Sequence, residues 1–503
     1  MNGACATLAV VSDVQPPSPD VAERPAPALS AGDLARLTGG RLLATSDRPI
    51  RGAAVDSRLV TPGSLFVALP GERTDGHHFL QAAVAAGAAA LIVSRPPADP
   101  AALGDVTIVR VADGIAALQA VAADWRLRFD PLVVGVTGSI AKTSTKEAVA
   151  TVLAARFRTL RNEGNQNNEI GLPLTVLALG PEHEAAVLEM GMYVGGEIRD
   201  LAAIARPRIG IVTAVHPVHL ARIGSLDAIE RAKAELVEAL PADGWAILNA
   251  DDPRVRSMTS RTAAPALTYG FAEDADVGAE AVVSRGAEGM AFRLRHAGRR
   301  QAVEIPTLGR LAVHNALAAA AAGIAAGLDL GTIAGALAGG WSAPHRGELH
   351  RAGGVTLVDD SYNASPASVR AALELLAGLS GRRVAVLGAM LELGEGHVAG
   401  HRDVGTAAAA VVELLVVVGD EARSIADGAR EAGLPAQRII EVQDRAAAVD
   451  ALRPRLREGD VVLVKASRGI ALDVLVDDLR RELDDGGPII VSAAPAGSGA
   501  QPG

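Results

Sequence analysis

Short apolar runs recur along the chain. Each is closed by a polar or glycine-bearing turn and followed by a stretch in which apolar residues return every three or four positions. The runs predict buried strands and the stretches amphipathic helices. In a first stretch, Leu65-Phe-Val-Ala-Leu69 and Ala89-Ala-Leu-Ile-Val93 are strands and Thr61-Pro-Gly-Ser64 is a turn, while helices start at Ser30 and cover Gln81 to Ala86. In a second, Leu132 to Thr137, Ala185 to Met190, Arg208 to Thr213 and Trp245 to Asn249 are strands. Val355 to Asp360, Arg383 to Gly388, Leu414 to Gly419 and Val461 to Lys465 form a third set. Strands that alternate with helices build a parallel sheet covered on both faces. The fold class is therefore α/β, in three units, with a doubly wound parallel sheet at the centre. The expected boundaries are an N-terminal unit at 27–128, a central unit at 129–340 and a C-terminal unit at 341–485. Pro-rich tails at 1–26 and 486–503 are expected to be disordered.

In such sheets ligands lie outside the carboxyl ends of the strands. The central strands end on Lys142 and Thr143, on Glu189, on His216 and His219, and on Asn249, Asp251 and Asp252. The first of these ends, Val136-Thr-Gly-Ser-Ile-Ala-Lys-Thr-Ser144, runs from a strand through a glycine-bearing loop into a helix. Such a joint presents backbone N–H groups and the positive end of a helix dipole to an anion. Lys142 supplies a point charge to a polyphosphate and the Thr143 hydroxyl a ligand to Mg²⁺. The string departs from the usual phosphate-loop spacing, because Ala141 precedes the lysine. An ordinary strand–turn–helix joint is the plainer reading of the loop alone. Four strands carrying phosphate, metal and nucleotide chemistry at one edge favour ATP with Mg²⁺.

Composition narrows the classes. Net charge is -10 with acids and bases interspersed, which argues against nucleic-acid binding. The single cysteine, Cys5, permits no internal disulfide and fits a reducing cytoplasm. Met1 to Val11 lacks the basic start of a signal peptide, and the alanine-rich run at Ala316 to Leu328 is too short for a membrane span.

These residues together resemble the Mur ligase family, MurF type, over nearly everything between residues 29 and 483. Thr137-Gly-Ser-Ile-Ala-Lys-Thr143 is similar to the family's ATP loop, Asn165-Gln-Asn-Asn168 to a substrate loop, and Glu189-Met-Gly191 to a Mg²⁺ carboxylate motif. His219 and Ala232-Lys-Ala-Glu235 resemble a second-metal histidine and a carbamylated lysine. Asp56-Ser-Arg58 resembles the uridine-nucleotide region, and Asn249 and Asn315 the adenine side. Arg346, Asp359-Asp-Ser-Tyr-Asn363 and Lys465-Ala-Ser-Arg468 resemble elements that close over ATP and a dipeptide.

The resemblance implies Lys142, Glu189, His219 and Lys233 as catalytic residues. It implies Thr143, Glu189, His219 and Lys233 as ligands of two Mg²⁺ ions. Thr137, Gly138, Ser139, Ala141, Lys142, Thr143, Ser144, Asn249, Asn315, Arg346 and Asp360 would bind ATP. Asp56, Ser57, Arg58, Asn165, Asn168, Tyr362, Asn363, Lys465 and Ser467 would bind substrate. The implied reaction joins D-alanyl-D-alanine to UDP-N-acetylmuramoyl-tripeptide through an acyl phosphate, in a cytoplasmic monomer. Leu311-Ala312 and Ala389 depart from the family pattern, as does Ala141. A different ligase of the superfamily and a non-catalytic nucleotide-binding protein both stay open.

Three local expectations follow. Ala141 should have a negative φ, where its methyl group is harmless. Gly339-Gly340 should hinge the third unit. Ile229, Ala232, Leu236, Val237 and Leu240 form an apolar stripe with Lys233 on or beside it, and periodicity alone favours a lysine that snorkels to solvent from its edge; the resemblance of Ala232-Lys-Ala-Glu235 implies instead that Lys233 faces inward and is carbamylated.

Overall fold

The structure is a computed structural model that describes residues 27–71, 74–217 and 223–484. The tails and His219 lie outside the described residues.

The first sheet holds β1 (Arg41–Ala44), β2 (Ala53–Ala54), β3 (Leu65–Val67), β4 (Ala90–Val93) and β5 (Thr107–Arg110) in the order β1-β5-β4-β3-β2. All its pairs are parallel except β1 with β5. The central sheet holds β6 (Leu132–Thr137), β7 (Thr159–Arg161), β8 (Ala185–Glu189), β9 (Ile209–Val212), β10 (Trp245–Asn249), β11 (Ala266–Gly270), β12 (Val277–Ser284), β13 (Met290–His296) and β14 (Arg299–Ile305). Its order is β14-β13-β12-β11-β10-β9-β6-β8-β7. The expected parallel sheet is present from β7 to β12, but β12, β13 and β14 form an antiparallel meander that extends it. The third sheet holds β15 (Glu348–Ala352), β16 (Val355–Asp359), β17 (Arg383–Gly388), β18 (Leu414–Val418), β19 (Ile439–Val442) and β20 (Val461–Lys465) in the order β15-β16-β20-β17-β18-β19. Only its edge strand β15 is antiparallel.

The β-branched strands of the central sheet are buried on both faces. One face is covered by the helices Lys142–Ala154 and Gly309–Ala325, whose small residues allow close approach. A β-carbon at Gly323 would stand 2.8 Å from Val152 Cγ1. The other face shares one continuous core with the first unit, running from Leu29 through Trp125 to Leu172, Leu236 and Met258. Trp125 Nε1 donates to Leu179 O at 3.0 Å, and the buried guanidinium of Arg126 donates to Ala205 O at 2.8 Å. The third sheet is filled by two cores of its own, to which the central unit contributes Leu308. Gly340, at φ 70°, ends the helix Leu330–Ala338, its N–H donating to Leu337 O at 2.9 Å. A β-carbon there would lie 2.6 Å from Pro306 Cγ, so this glycine serves as a packed helix end.

Candidate active site

β6 ends at Thr137, whose hydroxyl donates to Met190 O at 2.8 Å and so ties the loop to the end of β8. Gly138 has φ 149°, and a β-carbon there would fall 1.8 Å from Thr213 Oγ1, so only glycine fits. Thr213 in turn donates to Ile140 O at 2.6 Å. Ser139 N donates to Ala214 O at 2.8 Å, and the Ser139 hydroxyl accepts from His216 N at 2.9 Å. The loop is thereby pinned to the ends of β8 and β9.

Ala141 has φ 64° and ψ 2°, which corrects the expected negative φ. The chain must reverse between the pinned Ile140 carbonyl and the first helical residue, Lys142. The left-handed region makes that reversal, with Ala141 O accepting the first helical bond from Thr145 N at 2.8 Å. The methyl group there is strained by about 1–2 kcal/mol.

Thr143 Oγ1 donates to Glu189 Oε2 at 2.7 Å, and Asn167 Nδ2 donates to Glu189 Oε1 at 2.6 Å. Glu189 is 2% exposed. Its backbone is held by Asn162, which accepts from Glu189 N at 3.0 Å and donates to Glu189 O at 3.2 Å. Asn162 O accepts from the buried ammonium of Lys146 at 2.5 Å. A buried carboxylate that receives only neutral donors, beside a helix-start hydroxyl, is an oxygen donor set suited to Mg²⁺. Neither Asn162 nor Lys146 was singled out from sequence. Lys142 is half-buried, and burial lowers its pKa although the Glu189 charge opposes this.

Lys233 lies in the helix Leu226–Glu238 and is 3% exposed. Burial lowers its pKa well below the ordinary lysine value, and the Lys142 charge adds to the effect. Among the described residues its ammonium has no hydrogen-bond or ion-pair partner. Glu235, in the same motif, accepts from Gly196 N at 2.7 Å and Arg199 N at 3.0 Å, and so caps the helix Glu197–Ala205.

A cavity of about 630 Å³ brings Ser139, Ala141, Lys142, Thr143, Ser144, Glu189 and Asn315 together with Asn165, Asn167 and Asn168. Its far wall comes from the third unit: Arg346, Asp360, Tyr362, Asn363, Lys465 and Ser467. Asn315 accepts from Thr145 Oγ1 at 3.1 Å, and Asn168 Oδ1 accepts from Gly171 N at 2.9 Å. Lys465 donates to Asp360 Oδ2 at 2.6 Å and to Asn363 O at 2.9 Å. Burial raises the Asp360 pKa, against the pull of Lys465. The guanidinium groups of Arg346 and Arg468 lie 4.1 and 4.9 Å from the Tyr362 ring centre. Ser467 Oγ accepts from Leu391 N at 2.9 Å.

Asp56, Ser57, Arg58, Asn249 and Lys233 do not line this cavity. Asp56 caps the short turn Ser57–Leu59 and accepts from the exposed Arg58, which lowers its carboxyl pKa to about 2. Asn249 donates to Thr213 O at 2.7 Å and accepts from Asp251 N at 2.9 Å. Its Oδ1 also lies 3.1 Å from His314 Nε2. His314 went unnoticed in the sequence. It sits one helical turn beyond Leu311 on the helix Gly309–Ala325.

The sequence and the fold match known proteins. Residues 136–323 match the Mur ligase middle domain, 345–468 the Mur ligase glutamate ligase domain, and 49–126 the Mur ligase family catalytic domain. A UDP-N-acetylmuramoyl-tripeptide–D-alanyl-D-alanine ligase of Bacillus subtilis is 36% identical over 434 residues, covering 86% of this chain and 93% of that one. A crystal structure of MurF from Acinetobacter baumannii superposes with a TM-score of 0.82 at 30% identity, covering 91% of this chain and 100% of that one. MurF from Thermotoga maritima, in complex with ADP, superposes at 0.76 with 28% identity, covering 86% and 98%. With three domain matches in chain order and a relative aligned over almost its whole length, the chain belongs to the Mur ligase family, on its MurF branch.

Proposed function

We propose that the protein joins D-alanyl-D-alanine to UDP-N-acetylmuramoyl-tripeptide, as its relatives' names describe, with cleavage of ATP. The observation that carries this is the cavity in which a phosphate-type loop and the Thr143–Glu189 pair face Lys465, Arg346 and Asp360 of another unit. The three units are read as 27–128, 129–340 and 341–485, working as a monomer in the cytoplasm.

Amide formation from a carboxylate in water is uphill, so the tripeptide carboxylate is first activated. One of its oxygens attacks the γ-phosphorus of ATP, the bond to the bridging oxygen breaks, and ADP leaves. The dipeptide amine then attacks the acyl carbon, loses a proton, and expels inorganic phosphate as the C–N bond forms. Lys142 and the N–H groups at the start of its helix neutralise charge on the transferring phosphoryl group. Thr143 and Glu189 would hold one Mg²⁺, which supplies further neutralisation when bound. Asn162 and Asn167 keep Glu189 in place.

His219 and Lys233 are assigned to a second Mg²⁺, with Lys233 as a carbamate. Burial lowers the Lys233 pKa well below the ordinary lysine value, which favours the neutral amine, the form that is nucleophilic toward CO₂. Its carbamate would put a metal-binding anion in place of that amine. The pocket's third-unit residues, Tyr362, Asn363, Lys465 and Ser467, are assigned to the dipeptide side. Asn165 and Asn168 are assigned to the tripeptide, and Asp56, Ser57 and Arg58 to its uridine end. Arg346, Asp360, Asn315 and Asn249 are assigned to ATP. Closure of the third unit about Gly339-Gly340 would exclude water from the acyl phosphate.

Mass spectrometry of the mixture with ATP, D-alanyl-D-alanine and tripeptides ending in diaminopimelate or lysine tests the proposal. The expected product is the condensed pentapeptide with one ADP per bond. Condensation with single amino acids instead would assign a different ligase, and failure to release ADP with all substrates present would leave no ligase at all.

A further inference from the structure

Outside the nucleotide cavity the third sheet gathers a second set of ligating side chains. β15 and β16 pair antiparallel with Glu348 directly opposite Asp359. His350 lies two residues along β15 and so shares a face with Glu348. Two carboxylates opposed across a strand pair repel each other. Asp359 is also nearly buried, at 1% exposure, with His345 as its ion-pair partner.

The surroundings hold Asp359 firmly. Its Oδ1 accepts from Ser361 N at 3.0 Å and Ser361 Oγ at 2.5 Å, and its Oδ2 accepts from His345 Nδ1 at 2.7 Å. His350 Nε2 stands 3.9 Å from Glu348 Oε1 and 3.9 Å from Asp359 Oδ2, too far for a hydrogen bond to either. The three ligand atoms lie within 4.8 Å of one another. A point equidistant from atoms so spaced is about 2.5 Å or less from each, and Zn–N and Zn–O bonds are about 2.0–2.2 Å, so small side-chain rotations complete the shell.

We propose that Glu348, His350 and Asp359 form a binding site for a divalent transition-metal ion of the Zn²⁺ class. One imidazole with two carboxylates suits such an ion better than Mg²⁺, which takes oxygen ligands. His345 acts behind the site, fixing the orientation of the Asp359 carboxylate through its ring N–H. The ion would tie the edge strand β15, the first element after the link from the central unit, to the strand that leads into Asp360.

Titration of the whole protein with Co²⁺, in saturating Mg²⁺ to fill oxygen-ligand sites, tests the assignment. One equivalent with the strong visible bands of a four-coordinate ion, displaced by Zn²⁺, is expected. His350→Ala should weaken binding by about tenfold or more. Glu348→Gln, at an exposed position that folding tolerates, should do the same. Both variants should keep the metal-free unfolding temperature. Undiminished Co²⁺ binding in either variant, or only the weak bands of a six-coordinate ion in the parent protein, would overturn the site.

Discussion

Replacement of Ala141 by glycine and by valine gives opposite signs depending on the backbone at that position. With φ at 64° an L-residue bears about 1–2 kcal/mol of left-handed strain. Glycine removes this but loses about 0.5–1 kcal/mol to its greater freedom when unfolded. Ala141→Gly should therefore change stability by about 0 to +1.5 kcal/mol. Ala141→Val, β-branched where φ is positive, should cost about 1–3 kcal/mol. The left-handed turn is held by protein contacts, Thr213 Oγ1 to Ile140 O and Ser139 to Ala214 and His216. The strain thus belongs to the fold, and Ala141→Gly should move ATP affinity by less than about tenfold, ~1.4 kcal/mol. Thermal unfolding followed at the transition of the central unit, with ATP titrated in parallel, measures both. A glycine variant that melts earlier than the parent, together with a neutral valine variant, would show that φ is negative and refute the argument.

Lys142→Ala should abolish turnover while leaving the fold intact, and near-normal rates in that variant would end the phosphate-loop assignment. Lys233→Ala should lose nearly all activity and regain part of it with a small carboxylic acid at high concentration; wild-type rates in Lys233→Arg would sink the carbamate. Asp75 accepts from His77 N at 2.9 Å and from the His77 ring at 2.7 Å, and its carboxyl pKa is lowered to about 2. A depressed acid stabilises the fold fully above its ordinary value of 3.8 and loses that contribution as pH falls toward about 2. Asp75→Asn should accordingly flatten the acid-unfolding profile of the first unit between those values; an unchanged profile would remove the pair from the account. X-ray scattering with ATP analogue and tripeptide should show a smaller radius of gyration than without them, and no change would argue against closure at Gly339-Gly340.

The strands and the loop were legible because their signals are local: apolar runs of fixed length, and a glycine–lysine–threonine turn between strand and helix. The spacing of Ile229, Leu236 and Val237 put Lys233 on or beside the apolar stripe but favoured a snorkelling side chain; the Ala232-Lys-Ala-Glu235 resemblance carried the inward reading. The meander β12–β14 has no continuous apolar run; β13 and β14 carry instead the apolar–polar alternation of half-buried strands, a different signal from the runs that mark the buried ones. The hold of Asn162 and Asn167 on Glu189 was hidden as well. They meet it across 27 and 22 residues of chain, a distance over which no local pattern carries information. Alanine gives no sign of a left-handed backbone, so the conformation of Ala141 was misjudged. It follows from the tethering of Ile140, which only the folded loop reveals.

The core shared by the first and central units has a consequence during synthesis. The helix Gly114–Arg126 turns Leu118, Val121, Ala122 and Trp125 toward residues such as Leu172, Val176 and Leu177, which lie later in the chain. At about 5–20 residues per second, a ribosome leaves that surface uncovered for several seconds after the first sheet has emerged. A nascent chain arrested near residue 128 would display an apolar helix with nothing to lie against, a natural foothold for a chaperone or for another nascent chain. Among the described residues, the third unit's cores draw only Leu308 from the central unit, which has already been made when the third unit emerges. Its partner residue precedes it in the chain, so the order of synthesis matters more for the amino-terminal half of the enzyme than for the rest.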